Sequence, residues 1–441
     1  MSASQDSFDV AVVGLGRVGL PLALSFADRG LTVLGIDRDD ERLQAVAAGR
    51  MPFQETGTDE LIERVHRTRR LHTSDRVAEA AQADAIVLTL GTPSFSHIEI
   101  DMRDIRSALD DLLPHLRPGH TIVLRSTIAP GTTDFVAGYL ERQRGLRAGV
   151  DVHVAHVPER IATGKFLAEI DTLPCIVGAV ESSDGASASG ERVARLFEAF
   201  GAPIVQTTPV QAELAKIWAN ILRYTHFALP NLLMMDCEQY GANVFEVIDL
   251  INRDYPRGGI AQPGFTAGTC LRKDFTFSEE RSNAPGMLLA VSRVNESVPH
   301  FLVQGIKRRS QQDSLNGRKV AVLGLAFKGD TDDERDSLAH KLIRLLEREL
   351  ADVAVHDPVV ASPTQSLEET LHEANVVVVA ANHAAFEPAA TRAAIGALAS
   401  PDALVVDPWN HLGSGQVFAF ADELIPLGIE GGSGGGEAGS D

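Results

Sequence analysis

The chain has 441 residues, 44% hydrophobic and 23% charged, which fits two or three globular domains at roughly 150 residues each. A formal charge of −20 opposes a nucleic-acid partner, whose phosphates it would repel, although a local Arg/Lys cluster can still hold a phosphorylated small molecule. Three cysteines make no disulfide framework, no apolar run reaches the ~18 residues of a membrane span, and residues 1–10 lack a signal-peptide pattern, so a cytoplasmic protein with no membrane partner and no metal site is expected.

A short apolar run at 9–13 ends in Gly14-Leu15-Gly16-Arg17-Val18-Gly19, and an Ala/Leu-rich helical stretch at 21–29 leads to a second apolar run, 31–36, that closes on Asp37. Strand, glycine turn, helix, strand is a βαβ unit with the dinucleotide fingerprint. Its first glycine permits the tight turn, its second lets the backbone approach a pyrophosphate, and its third lets helix pack on strand. Helix N-terminal amides then face the phosphates. Asp37 sits where a carboxylate accepts ribose hydroxyls, which favours NAD over NADP, with Arg38 and Arg42 arguing the other way.

Runs at 85–90, 121–124 and 152–155 read as buried parallel strands, and those at 176–180 and 203–206 complete the first doubly wound domain. Gly91-Thr92-Pro93 and Ser126-Thr127 fall at carboxyl ends of strands, where open α/β sheets bind ligands, though each also reads as a helix N-cap. Val157-Pro158-Glu159-Arg160 follows another strand end and sets an acid–base candidate beside a cation; a solvated salt bridge is the alternative.

From 209 to about 310 strand signals give way to helix formers, with a long helix over 210–235 that would bridge two domains or two subunits. Lys216, Asn220 and Arg223 share one face of it. Exposed, they are ordinary solvated charge; facing a pocket, they suit an alkoxide and a diphosphate. Residues 264–274 then place Cys270 after small, flexible residues, with Lys273 to favour the thiolate and Asp274 to handle a proton or a water. By residue type alone, a cysteine is as readily a small buried hydrophobe. A second α/β unit starts at 319–324, with further strand-like runs at 352–356, 376–380 and 403–407, and a Gly/Ser-rich acidic tail ends the chain. The expected fold class is α/β: two Rossmann-like doubly wound domains, 1–208 and 311–428, joined by a central helical domain, 209–310, with a disordered tail at 429–441.

These motifs, in this order, resemble the UDP-glucose/GDP-mannose dehydrogenase family, the nucleotide-sugar 6-dehydrogenases, over nearly the whole chain. The matching stretches are 14–21, 91–93, 126–127, 158–160, 212–220, 268–274 and 324–337. Pro158-Glu159-Arg160 with Gly164 and Glu169, together with Arg223 and Tyr255-Pro256-Arg257, is similar to the subgroup acting on N-acetylated sugars. The resemblance implies Cys270 as nucleophile, Lys216 as proton donor and acceptor, Asn220 and Asp274 at the oxidised carbon and its water, and Glu159 assisting. It assigns Arg160, Ile161, Arg223, Tyr255, Arg257 and Lys328, with Lys216 and Asn220, to the UDP-sugar. Gly14, Gly16, Val18, Gly19, Asp37, Arg42, Thr92, Thr127 and Arg335 go to NAD, and Arg257 to the neighbouring subunit's site, hence a homodimer or larger assembly. Arg17 stands where the family usually has an aromatic, Thr266, Ala267 and Thr269 narrow the loop before the cysteine, and Thr163 replaces a glutamate of UDP-glucose enzymes.

The implied reaction is a four-electron oxidation of a UDP-sugar, UDP-N-acetylmannosamine before UDP-glucose or UDP-N-acetylglucosamine. A two-electron β-hydroxyacid dehydrogenase shares the first two domains but leaves Cys270 and the second α/β unit without a task. A non-catalytic NAD-binding protein would have no use for Lys216, Cys270 and Asp274 together.

Overall fold

The computed structural model describes residues 7–91, 103–182, 189–266, 268, 270–279, 286–311 and 313–424; Thr92 and the expected tail at 429–441 lie outside them. The chain forms two compact units, Met1–Ala219 with Thr276–Arg281, and Asn220–Phe275 with Ser282–Asp441.

The first unit is built on eight strands: β1 (Phe8–Val13), β2 (Val33–Ile36), β3 (Leu71–Ser74), β4 (Ala83–Leu88), β5 (Thr121–Leu124), β6 (His153–His156), β7 (Cys175–Ala179) and β8 (Ile204–Thr207). They lie in the order β3-β2-β1-β4-β5-β6-β7-β8, so the strand order turns around between β1 and β4. Such a switch point opens a crevice at the carboxyl ends of the strands. Alternate residues of β1 enter different cores, Val10 and Val12 one, Ala11 and Val13 the other. A sheet covered on both faces is why its strands read as unbroken apolar runs. The strands are parallel from β3 to β6, as expected for 85–90, 121–124 and 152–155, and β7 pairs antiparallel with β6. The connection from β6, residues 157–174, carries only the one-turn helix Phe166–Glu169 and no long helix of the kind that covers a parallel crossover, and β7 runs back.

The second unit holds a five-stranded sheet of β9 (Lys319–Leu323), β10 (Asp352–His356), β11 (Val376–Val379), β12 (Leu404–Val406) and β13 (Phe418–Phe420), in the order β10-β9-β11-β12-β13. Its first four strands are parallel and β13 closes the edge antiparallel. Val376 and Val378 face one core and Val377 and Val379 the other. The intervening segment is helical as expected. Its long helix, Pro209–Tyr240, passes through Pro230, and a second helix spans Met287–Arg309. Among the described residues no helix is long and apolar enough to cross a membrane.

Candidate active site

In the first unit the glycine turn joins β1 to the helix Gly19–Asp28. Gly14 has φ +96°, and a Cβ there would lie 3.1 Å from the Thr89 carbonyl oxygen; a Cβ on Gly19 would lie 1.8 Å from the Gly14 oxygen. Gly16 differs: nothing stands within 4 Å of its Cβ position, so the turn is open where a pyrophosphate would approach. Val18 occupies the N-cap without a side-chain cap, leaving helix amides to an anion. These features fit a bound dinucleotide. Asp37, at the end of β2, accepts the Leu15 N–H at 2.6 Å and the Arg42 guanidinium at 2.8 Å, so it holds the turn. Arg17 lies over the Phe53 ring, 5.1 Å from its centroid. The Thr89 hydroxyl bolts β4 to the turn, donating to Gly14 O at 2.5 Å, and Ser126 beside Thr127 donates to Leu90 O at 2.6 Å.

The segment after β6 hangs from three carboxylates. Glu159 accepts the Ile161 N–H at 2.8 Å, Glu169 the Ala162 N–H at 2.9 Å, and buried Glu55 the Gly164 and Phe166 N–H groups, both at 2.9 Å. Gly164 has φ +86°, which a residue with a Cβ adopts at a cost. Glu159 is not the solvated surface pair weighed above: it is buried and accepts from the buried Arg125 at 2.6 Å. Arg160 donates to Pro174 O at 2.6 Å. Within the Pro209–Tyr240 helix, Glu213 is fully buried and pins the start of the Thr132–Arg144 helix, accepting from Gly131 N, Thr133 N and the Thr133 hydroxyl at 2.6–2.8 Å. Burial nevertheless raises its carboxyl above the usual range. Lys216, one turn on, is half-buried. Burial, with the nearby Arg125 and Lys216 cations, pushes the His156 imidazole at the end of β6 down to about 4.

In the second unit Cys270 is exposed and heads the one-turn helix Leu271–Asp274, its carbonyl accepting the Asp274 N–H at 2.9 Å. Asp274 is fully buried and accepts the Asn220 amide at 2.5 Å through Oδ2, while Lys273 Nζ stands 3.7 Å from Oδ1. Arg335 grips Asp333 with two bonds of 2.7–2.8 Å. That carboxylate first, and the nearby Cys270 in lesser measure, hold its guanidinium above the ordinary value. The loop entering Cys270 is laid on aromatic faces: a Cβ on Gly264 would meet Trp409 at 2.4 Å and one on Gly268 would meet Phe327 at 2.9 Å. Its start is tied by a buried amide chain, Gly264 N–H to Asn231, Asn231 to Asn295, and Asn295 to Tyr224 O. Burial pushes the thiols of Cys175 and Cys237 up, which disfavours their thiolates.

Cys270, Asp274, Asn220 and Arg335 are thus brought together, and Lys328 lies half-buried in the turn after β9. Arg223 is exposed, and Tyr255 and Arg257 pair with each other at 3.0 Å on the surface rather than joining that cluster. Glu55, Thr89, His156, Glu213 and Asn231 were not singled out from the sequence. Each works through a partner remote along the chain, and only Glu213, inside the 212–220 motif, carried any local signal.

Three family models of the UDP-glucose/GDP-mannose dehydrogenase family match the chain: the NAD binding domain at 8–201, the central domain at 210–297 and the UDP binding domain at 321–414. The UDP-N-acetyl-D-mannosamine dehydrogenase of Pyrococcus horikoshii is 32% identical over 86% of this chain and 90% of its own length. Its solved structure superposes with a TM-score of 0.83 at 31% identity, covering 91% of this chain and 95% of that one. The NDP-N-acetyl-D-galactosaminuronic acid dehydrogenase of Ralstonia solanacearum is 30% identical over 86% of this chain and 91% of its own.

Proposed function

Since this chain belongs to the UDP-glucose/GDP-mannose dehydrogenase family and is an NAD-dependent UDP-sugar dehydrogenase, we propose that it takes the C6 alcohol of UDP-N-acetylmannosamine to the uronic acid through a thioester on Cys270. The observation that carries this reading is the exposed thiol at the head of a helical turn whose buried Asp274 is held by Asn220. A base alone stops at the aldehyde; a thiol beside a positioned carboxylate can finish the oxidation.

In this scheme Lys216 takes the hydroxyl proton of the alcohol. The glycine turn and Asp37 would hold NAD, which would supply the oxidant in two successive molecules, each able to take one hydride, the first from the alcohol and the second from the cysteine adduct. The Cys270 thiolate adds to the aldehyde carbon, forming a C–S bond while the carbonyl electron pair moves to oxygen. Asn220 and Lys216 hold that oxygen, each such donor typically worth ~3–4 kcal/mol. Asp274 takes a proton from the water that attacks the thioester; the C–S bond breaks, the thiolate leaves and the carboxylate is released. Arg160, Ile161, Arg223, Tyr255, Arg257 and Lys328 are assigned to the UDP-sugar. Val18, Asp37, Arg42, Thr92, Thr127 and Arg335 join the glycine turn at NAD.

The N-acetylated sugar is favoured by the names of the relatives and by Gly164, Glu169 and Thr163. UDP-glucose and UDP-N-acetylglucosamine are the alternatives, and a panel of UDP-sugars assayed for NADH and product mass decides between them. A homodimer is proposed on the apolar stripe Val210, Leu214, Trp218, Leu222, Leu229 and Leu232, all 39–55% exposed along one helix. The site of action is proposed as cytoplasmic, supplying a uronic acid for polysaccharide synthesis.

Two NADH per sugar are expected from the wild type. Cys270→Ser is expected to stop at or just before the second oxidation, with no carboxylate in the product mass; undiminished carboxylate formation by that variant rules out the nucleophile.

A further inference from the structure

The two glycine turns of this protein are built alike and differ in one respect. In each, a carboxylate at the end of the neighbouring strand accepts the N–H of the residue after the first glycine: Asp37 from Leu15 and Asp357 from Leu325, both at 2.6 Å. Gly14 and Gly324 both have positive φ, +96° and +100°. Asp37 takes one amide of its turn, with the Asp39 N–H at 3.0 Å and the Arg42 guanidinium at 2.8 Å, whereas Asp357 is filled. It also accepts from Ala326 N at 3.1 Å, Val359 N at 2.8 Å, Val360 N at 3.1 Å and His383 Nε2 at 3.1 Å. A carboxylate offers about four lone-pair sites, so Asp357 has none left for a ribose. A ligand must therefore meet the outer part of this turn, Phe327 to Asp330.

That outer part is fastened from the end of β11. Gly329 N–H donates to Asn382 Oδ1 at 3.2 Å, and Ala384 N–H donates to Asp330 Oδ1 at 2.8 Å. Asp330 N–H donates to His383 Nδ1 at 3.0 Å, which fixes the imidazole as the Nε2–H tautomer that donates to Asp357. His383 is fully buried, and Asp330 sits in the left-handed region at φ +55°. A residue with a Cβ adopts that region at a cost and persists there where its surroundings hold it. His383 bridges the strand-end carboxylate and the one strained residue between Lys328 and the rest of the loop.

We propose that His383 is a positioning residue that locks the 324–330 turn in the shape presenting Lys328 to the diphosphate of the substrate. The inference rests on the UDP-sugar reading above. Its atom-level content is that the Nδ1 acceptor, not merely a side chain filling the space, sets the affinity. Asn places an acceptor near the Nδ1 position; Gln reaches the Nε2 position and keeps the Asp357 bond but gives Asp330 N–H nothing.

The test is calorimetric titration of the full chain with UDP, alongside steady-state kinetics. His383→Gln is expected to weaken UDP by about tenfold and raise KM for the UDP-sugar by a like factor, the loss of one well-made hydrogen bond. KM for NAD and kcat at saturating substrate should stay unchanged, and His383→Asn should recover most of the affinity. Equal UDP affinity in the two variants, or a loss shared by NAD, overturns the proposal. If His383→Gln does not fold, Asn382→Ala removes the companion tie at Gly329 and should weaken UDP to a similar degree; wild-type binding by it equally overturns the proposal. A wild-type protein that ignores UDP instead refutes the underlying UDP-sugar reading.

Discussion

His156 has its Nδ1 2.9 Å from the Leu124 carbonyl and its Nε2 buried with no hydrogen-bond partner among the described residues. A neutral imidazole is the form that can donate from Nδ1 and leave a bare lone pair on Nε2. The unfolded chain protonates this side chain as pH falls through about 6.5, whereas the folded one resists until about 4. Over that window the unfolded state binds the extra proton, so stability falls as pH falls, by about 3 kcal/mol at most. Urea midpoints at pH 7 and 4.5 should therefore drop further for wild type than for His156→Gln; equal drops would mean the buried imidazole is not the group responsible. At this scale the sequence was uneven. Cys270, Lys216 and Asp274 stand in short motifs whose neighbours advertise chemistry. His156, Glu55 and His383 carry no such mark, because what gives them meaning is a backbone atom brought close by the fold.

The glycine turn makes a sharper contrast. A methyl on Gly19 meets the Gly14 oxygen, while one on Gly16 meets nothing. Gly19→Ala is therefore expected to lower stability by about 3 kcal/mol or more, read as a fall in Tm. Gly16→Ala should keep the wild-type Tm and weaken NAD by about tenfold in a direct titration, a loss of roughly 1.4 kcal/mol at the pyrophosphate. Unchanged NAD affinity in Gly16→Ala would remove that glycine from the binding surface. Elements with continuous apolar runs were legible almost to the residue, β5 and β10 among them. β3, Leu-His-Thr-Ser on a sheet edge, is polar at three of its four positions and was missed, as was the three-residue β13. The direction of β7 was also beyond reach: a buried strand reads alike either way, and residues 157–174 before it form no long crossover helix.

Taken as a whole molecule, the chain carries its apolar surplus along one side of the Pro209–Tyr240 helix, with Trp218 51% exposed in the stripe. Large aromatics at the centre of an interface carry a disproportionate share of its energy, commonly 2 kcal/mol or more. If a second copy covers this stripe, Trp218→Glu should shift sedimentation from dimer toward monomer at concentrations where wild type stays paired; identical profiles would place the contact elsewhere. The architecture was readable because three motif sets fall in order along the chain, whereas what meets the exposed helix face is written in no single run of residues. One arrangement bears on how such a protein could be repurposed. The path of residues 159–166 is set by main-chain hydrogens given to Glu55, Glu159 and Glu169. Any residue but proline can supply those hydrogens. The tie from residue 161 to Glu159 therefore survives any side-chain change there but proline, and a library randomised at Ile161, with the three acids retained, would sample new sugars while keeping that hydrogen bond.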